Sequence, residues 1–122
     1  NEISSSSRIK ASYRLLNAML EHPDLVAGEG RACTELMRAS KMRAAVKTGA
    51  EAVFVAILPE LKLGIALKIE DGSIRASEAV IAELLVRYGV VERDNPLVKK
   101  RLLGPIRNWN GIKTGEYHVC FD

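Results

Sequence analysis

The stretch from Ala44 to Glu70, AAVKTGAEAVFVAILPELKLGIALKIE, constrains this chain more than any other. Ala52 to Leu58 is unbroken Ala-Val-Phe-Val-Ala-Ile-Leu, the pattern of a strand covered on both faces and central in a sheet. After a turn at Pro59 to Leu63, the residues Gly64 to Glu70 alternate, which puts Ile65, Leu67 and Ile69 on one face. An antiparallel hairpin is expected, and Ala44 to Lys47 is long enough to add a short strand. The longest apolar run, Ala52 to Pro59, has strand length. It falls far below the roughly 20 residues that span a bilayer, so no membrane partner is expected.

Helices should cover this hairpin. Asp71-Gly72-Ser73 reads as a turn into a helix from Ile74 to Tyr88, with Val80, Ile81, Leu84, Leu85 and Tyr88 as its apolar face and Gly89 closing it. Burying five such side chains contributes on the order of 10 kcal/mol before chain entropy is charged against it, making hairpin and helix the expected stable nucleus. From Arg8 to about Leu20, the residues Ile9, Tyr13, Leu16 and Leu20, joined by Ala11, Leu15 and Met19, recur at helical spacing. His22-Pro23 ends that helix. Residues 1–7 are polar and serine-rich and read as a flexible tail or linker ending in an N-cap at Ser6 or Ser7, with 8–122 as the folded part. Pro23 to Arg31 is irregular and glycine-punctuated, and a short helix follows from Ala32 to Ser40. Beyond Glu92 the chain turns polar; a helix near Pro96 to Leu103, a loop, and an edge strand at Glu116 to Phe121 are expected. The fold class is α+β, helices packed on a small antiparallel sheet.

One domain is the expectation for 122 residues of which 48% are hydrophobic. Lys and Arg number 18 against 15 Asp and Glu, a net charge of +3. This is too small and dispersed to indicate nucleic acid, and only Trp109 stands near the Lys99-Lys100-Arg101 and Arg107 cluster as a stacking residue. Cys33 and Cys120 lack a CxxC spacing and follow no signal-like amino terminus, which favours reduced thiols and a cytoplasmic protein. His22 and His118 have no ligand spacing with them, so no metal site is read within this chain. The chain opens on Asn1 rather than methionine, and a preceding portion is expected.

The chemistry begins at Lys47-Thr48-Gly49. A lysine at the mouth of a buried strand, followed by a hydroxyl and a glycine that lets a ligand approach the backbone, is one piece of a catalytic site. In enzymes with a Ser-x-x-Lys nucleophile, a strand carrying this tripeptide lines the opposite wall, and a buried ammonium there accepts a proton more readily. The plainer alternative is a surface lysine at a strand end. Lys113-Thr114-Gly115 repeats the triplet without a buried strand after it and reads as surface. Ser7-Arg8-Ile9-Lys10 spells Ser-x-x-Lys, but on the exposed start of an amphipathic helix, where capping suffices. Cys33 stands where a helix begins, a place that can lower a thiol pKa, although a buried structural cysteine is the preferred reading. At the hairpin exit, Lys68, Glu70, Asp71 and Arg75 fit turn, cap and surface-pair chemistry.

Several longer segments carry a family resemblance. They are Ala18-Met19 with His22-Pro23, then Leu25-Val26-Ala27-Gly28-Glu29-Gly30-Arg31, Cys33-Thr34 with Leu36-Met37-Arg38, Lys47-Thr48-Gly49-Ala50-Glu51, and Gly64 to Gly72. In order and spacing they resemble the C-terminal part of the asparaginase II family, the rhizobial-type L-asparaginases. Asn110-Gly111-Ile112 with Thr114-Gly115 resembles the family's closing turn. The resemblance implies a domain similar to serine β-lactamases and glutaminases, and an amidohydrolase that releases ammonia from L-asparagine. Lys47 matches a catalytic lysine that pairs with an upstream serine; Thr48, Gly49, Glu51, Arg31 and Cys33 match neighbours of the substrate site. The Ser-x-x-Lys nucleophile and the cysteine and lysine ligands of a zinc site belong to the upstream half of such proteins. This chain should therefore be inactive without that half, and the resemblance leaves room for a homodimer. Ala52 stands where many members carry glycine, a departure that a strand at this position would tolerate. The rivals are another Ser/Lys amidase of glutaminase or penicillin-recognising type, and a non-catalytic binding or scaffold fragment docking through an open sheet edge.

Overall fold

The computed structural model describes residues 2–121, with side chains from residue 6 onward. Three helices come first: α1 (Glu2–Glu21), α2 (Pro23–Ala27) and α3 (Ala32–Ala39). The strands β1 (Ala45–Thr48), β2 (Val53–Leu58) and β3 (Leu63–Lys68) follow, then α4 (Ile74–Arg87) and α5 (Pro96–Leu102), and last the short strands β4 (Pro105–Arg107) and β5 (Lys113–Glu116). The fold is α+β, as the sequence implies.

The first three strands form one antiparallel sheet in the order β1-β2-β3, with β2 central. Lys47 pairs with Val55 and Val55 with Ala66, while Thr48 pairs with Phe54 and Phe54 with Leu67. Because side chains alternate, these two rows face opposite ways. Phe54, Ala56 and Leu58 turn inward and are buried, with α4 packed on this strand, whereas Val55 and Ile57 are exposed. The apolar run of β2 is thus covered on one face only, not on both. An unbroken run carries no alternation to say which face a neighbour will cover.

The core joins Leu36 and Met37 of α3, Val46 of β1, Phe54, Ala56 and Leu58 of β2, Ile81 and Leu85 of α4, and Val98 and Leu102 of α5. Helix α4 is where expected, and Gly89 follows it with a φ of 66°. Its buried face differs: Ser77, Ala79, Ile81, Ala82 and Leu85 are enclosed, while Tyr88 is exposed. Small residues let the helix sit close to the sheet, and Ser77 satisfies its hydroxyl on the Ile74 carbonyl at 3.0 Å. The Asn95 side chain caps α5 by accepting from the Leu97 amide at 3.0 Å.

Two expectations at the termini are corrected. Helix α1 begins at Glu2, so Ser6 and Ser7 lie inside it and do not cap it; Asn1 is outside the described residues. Serine is a moderate helix former rather than a breaker, and elongation adds a backbone bond for each residue once a helix is nucleated. The expected strand at Glu116 to Phe121 is absent. The final strand is β5, paired with β4 in a separate two-stranded sheet. Among the described residues no helix is long and apolar enough to cross a membrane.

Candidate active site

Lys47, Thr48 and Gly49 lie at the end of β1, an edge of the three-stranded sheet. Strand alternation sends their side chains apart. Thr48 turns toward α3, and its backbone amide donates to the Cys33 sulfur at 3.2 Å. Lys47 turns to the outer face, where it is exposed and its Nζ donates to the Thr48 carbonyl at 2.9 Å. The expected buried ammonium is therefore a surface lysine in this structure. The surface it stands on, beside exposed Val55, is apolar.

Cys33 occupies the first turn of α3 and is 1% exposed. Burial pushes its thiol above the ordinary range, with the Thr48 amide and the charge of Lys47 opposing. A helix start alone would have acted the other way, so the apolar surroundings win. Cys33 is free, as is the exposed Cys120. Arg31 immediately precedes α3 and is exposed.

Beyond Gly49 the chain reverses through a single 3-10 turn, Ala50–Ala52. Glu51 has φ 54° and ψ 40°, and Ala52 has φ 59°, so two consecutive L-residues with side chains occupy the left-handed region. Such a residue costs roughly 1–2 kcal/mol unless it is glycine. Ala52 thus lies in a turn that glycine would suit, not in a strand that tolerates alanine. Two hydrogen bonds hold the turn: the Gly49 amide donates to the Val53 carbonyl at 2.7 Å, and the Ile69 amide donates to the Ala52 carbonyl at 3.3 Å.

One buried charge network has no signature in the local pattern. Glu35 of α3 is 7% exposed, pairs with Lys100 and accepts from Arg101 at 2.6 Å. Arg101 also reaches Glu78 of α4 at 2.6 Å and the Gly30 carbonyl at 2.8 Å. Burial alone would raise the Glu35 pKa, but hydrogen bonds from Lys100 and Arg101 hold its carboxyl below the ordinary range. The network ties α3, α4, α5 and the Gly30 loop together, and so fixes the wall that carries Arg31 and Cys33. It also engages Lys100 and Arg101, two members of the basic cluster, while Arg107 donates to the Gly111 carbonyl at 2.7 Å. Glu35 and Arg101 are 66 residues apart, a separation at which sequence periodicity carries no signal.

The hydrogen-bonded serine hydroxyls serve local backbone. Ser12 donates to the Arg8 carbonyl, Ser40 to that of Met37 and Ser77 to that of Ile74. Ser7 and Lys10 stand exposed on α1. Among the described residues, no three His, Cys, Asp or Glu side chains gather as a metal would require, so these residues do not fit a zinc ion. A groove of about 570 Å³ separates the first half of α1 from the hairpin tip, lined by Ile9, Tyr13, Leu16, Ile57, Leu63 and neighbours. Lys47 is not among its lining residues.

A family model described as L-asparaginase II matches residues 1–119. No curated protein matches the chain.

Proposed function

The chain belongs to the L-asparaginase II family, and from that premise we propose that it forms part of an L-asparagine amidohydrolase, converting asparagine and water to aspartate and ammonia. It contributes the lysine-bearing wall of a Ser/Lys site. The serine nucleophile and any zinc ligands come from an upstream half of the same protein. The serine oxygen attacks the side-chain amide carbon, ammonia leaves with a proton carried by lysine, and water then cleaves the acyl bond. In that site, Lys47 moves the proton and the hydroxyl of Thr48 binds a polar group of the substrate.

The observation that carries this reading is the family match together with the placement of Lys47. The lysine is the penultimate residue of an edge strand, faces away from the core and, among the described residues, has only its neighbour's carbonyl as a hydrogen-bond partner. A structural lysine would be tied down; this one stands exposed on the outer face of the sheet. Ammonia release separates the outcomes. The complete protein is expected to hydrolyse asparagine and the purified 122-residue chain to release none. Activity of the isolated chain would overturn the division of the site. A panel adding glutamine and a β-lactam reporter distinguishes other Ser/Lys amidases.

A further inference from the structure

Helix α1 is held to the fold by its second half. Leu16, Met19 and Leu20 pack against the core, whereas on the half that precedes them Ile9 is 53% and Tyr13 62% exposed. On the hairpin, Ile57 is 45% exposed. Ile9, Tyr13 and Ile57 line one groove of about 570 Å³ with Leu58 and Leu63, so apolar surfaces of helix and hairpin share a cavity that they do not close.

Two cations line the same groove. Arg8 on α1 and Lys62 at the hairpin turn are exposed and have no ion pair among the described residues, and none of the residues lining the groove is acidic. Glu60, the acid of that turn, is taken by Arg43 at 2.9 Å. An apolar lining with uncompensated positive charge complements a molecule that has an aliphatic body and one anionic head.

Size narrows the class further. From Arg8 to Leu16 the α1 wall runs about 12 Å, barely two turns of a docked helix. A stable protein contact covers about 800 Å² on each partner, which so short a groove does not supply. Its volume lies in the range that small molecules occupy.

We propose that this groove binds a medium-chain fatty acid, with the alkyl chain between Tyr13 and Ile57 and the carboxylate received by Arg8 and Lys62. Lys47 does not line the groove, so binding here is independent of the asparaginase reading.

Calorimetric titration of the full 122-residue chain with hexanoate, octanoate and decanoate, below micelle-forming concentrations, tests this. Saturable binding at one site is expected, each added methylene tightening it up to about fourfold. Octanoate is expected to bind about 3- to 10-fold more tightly than octanol, the worth of an exposed charge pair. Arg8→Gln combined with Lys62→Asn is expected to abolish that preference and leave octanol binding unchanged; asparagine suits the left-handed φ of 51° at position 62. Tyr13→Glu, at an exposed position of α1, is expected to weaken every ligand at least about 10-fold by placing a carboxylate against the alkyl chain. No saturable binding of any of the three acids overturns the proposal, and so does an octanoate preference that survives the double substitution. If the chain instead self-associates, Tyr13→Glu abolishes that association and no acid binds, the groove belongs to a second copy and the fatty-acid site is refuted.

Discussion

The backbone amide of Thr48 donates to the Cys33 sulfur across 3.2 Å, fastening the last residue of β1 to the first turn of α3. One residue earlier the strand points the other way, and Lys47 is exposed. Core attachment and chemical availability thus sit on adjacent residues of a single strand, separated only by the alternation of the pleat.

The two cysteines should react at very different rates. Burial raises the Cys33 thiol pKa and encloses its sulfur, while Cys120 is exposed. A thiol reagent at about pH 8 is expected to label Cys120 promptly and Cys33 at least about 100-fold more slowly, through opening of the fold. Equal labelling rates in the folded chain would contradict this placement.

Acid should loosen the α3-α4-α5 network. The folded-state pKa of Glu35 is depressed, so its contribution is fully present above the ordinary glutamate range and is lost as the pH falls through the lower folded value. Lys100 and Arg101 face it and stay charged over that window, and Glu78 shares Arg101. Glu35→Gln is expected to cost on the order of 2 kcal/mol at neutral pH, and less in acid. Denaturant midpoints for both chains between neutral pH and about pH 3 check this, and parallel pH curves would count against it.

Glycine should be harmless at Ala52. The left-handed strain it relieves, roughly 1–2 kcal/mol, offsets the lost methyl and the freer unfolded chain. Ala52→Gly is expected to change stability by less than about 0.5 kcal/mol, whereas Ala82→Gly in the enclosed face of α4 costs about 2 kcal/mol. Comparable losses at the two sites would refute the turn geometry.

Lys47→Ala should separate activity from stability. The side chain is exposed and, among the described residues, bonds only a neighbouring carbonyl, so the melting temperature of the 122-residue chain should barely move, corresponding to under about 0.5 kcal/mol. In the complete protein the same change is expected to reduce asparagine hydrolysis about 10²- to 10⁴-fold, the range for loss of a positioned proton carrier. Full activity in that variant favours the binding or scaffold reading.

Local pattern was enough for the helix at Ala32–Ala39, the β2-β3 hairpin, α4 and α5 with its proline start, because each has a periodic apolar set and a stop signal. Lys47, Thr48, Gly49, Glu51, Arg31 and Cys33 were legible as a group only through the longer family pattern. Their conformations were not. Nothing in Glu51-Ala52 announces a left-handed pair, since side-chain identity there argues against one, and the hydrogen bonds that hold the turn come from Val53 and Ile69.

By itself the sequence determined the central hairpin, the helices α3, α4 and α5 around it and the lysine motif at the sheet's edge, since these depend on period and spacing along the chain, but not helix α2 in the stretch read as irregular or the β4-β5 pair. Tertiary structure decided that one face of β2 stays open, that small residues rather than Tyr88 face the core from α4, and that Arg101 joins Glu35 and Glu78. Those outcomes depend on which surfaces meet across tens of residues, where burial, charge pairing and backbone constraint act together and local pattern is silent.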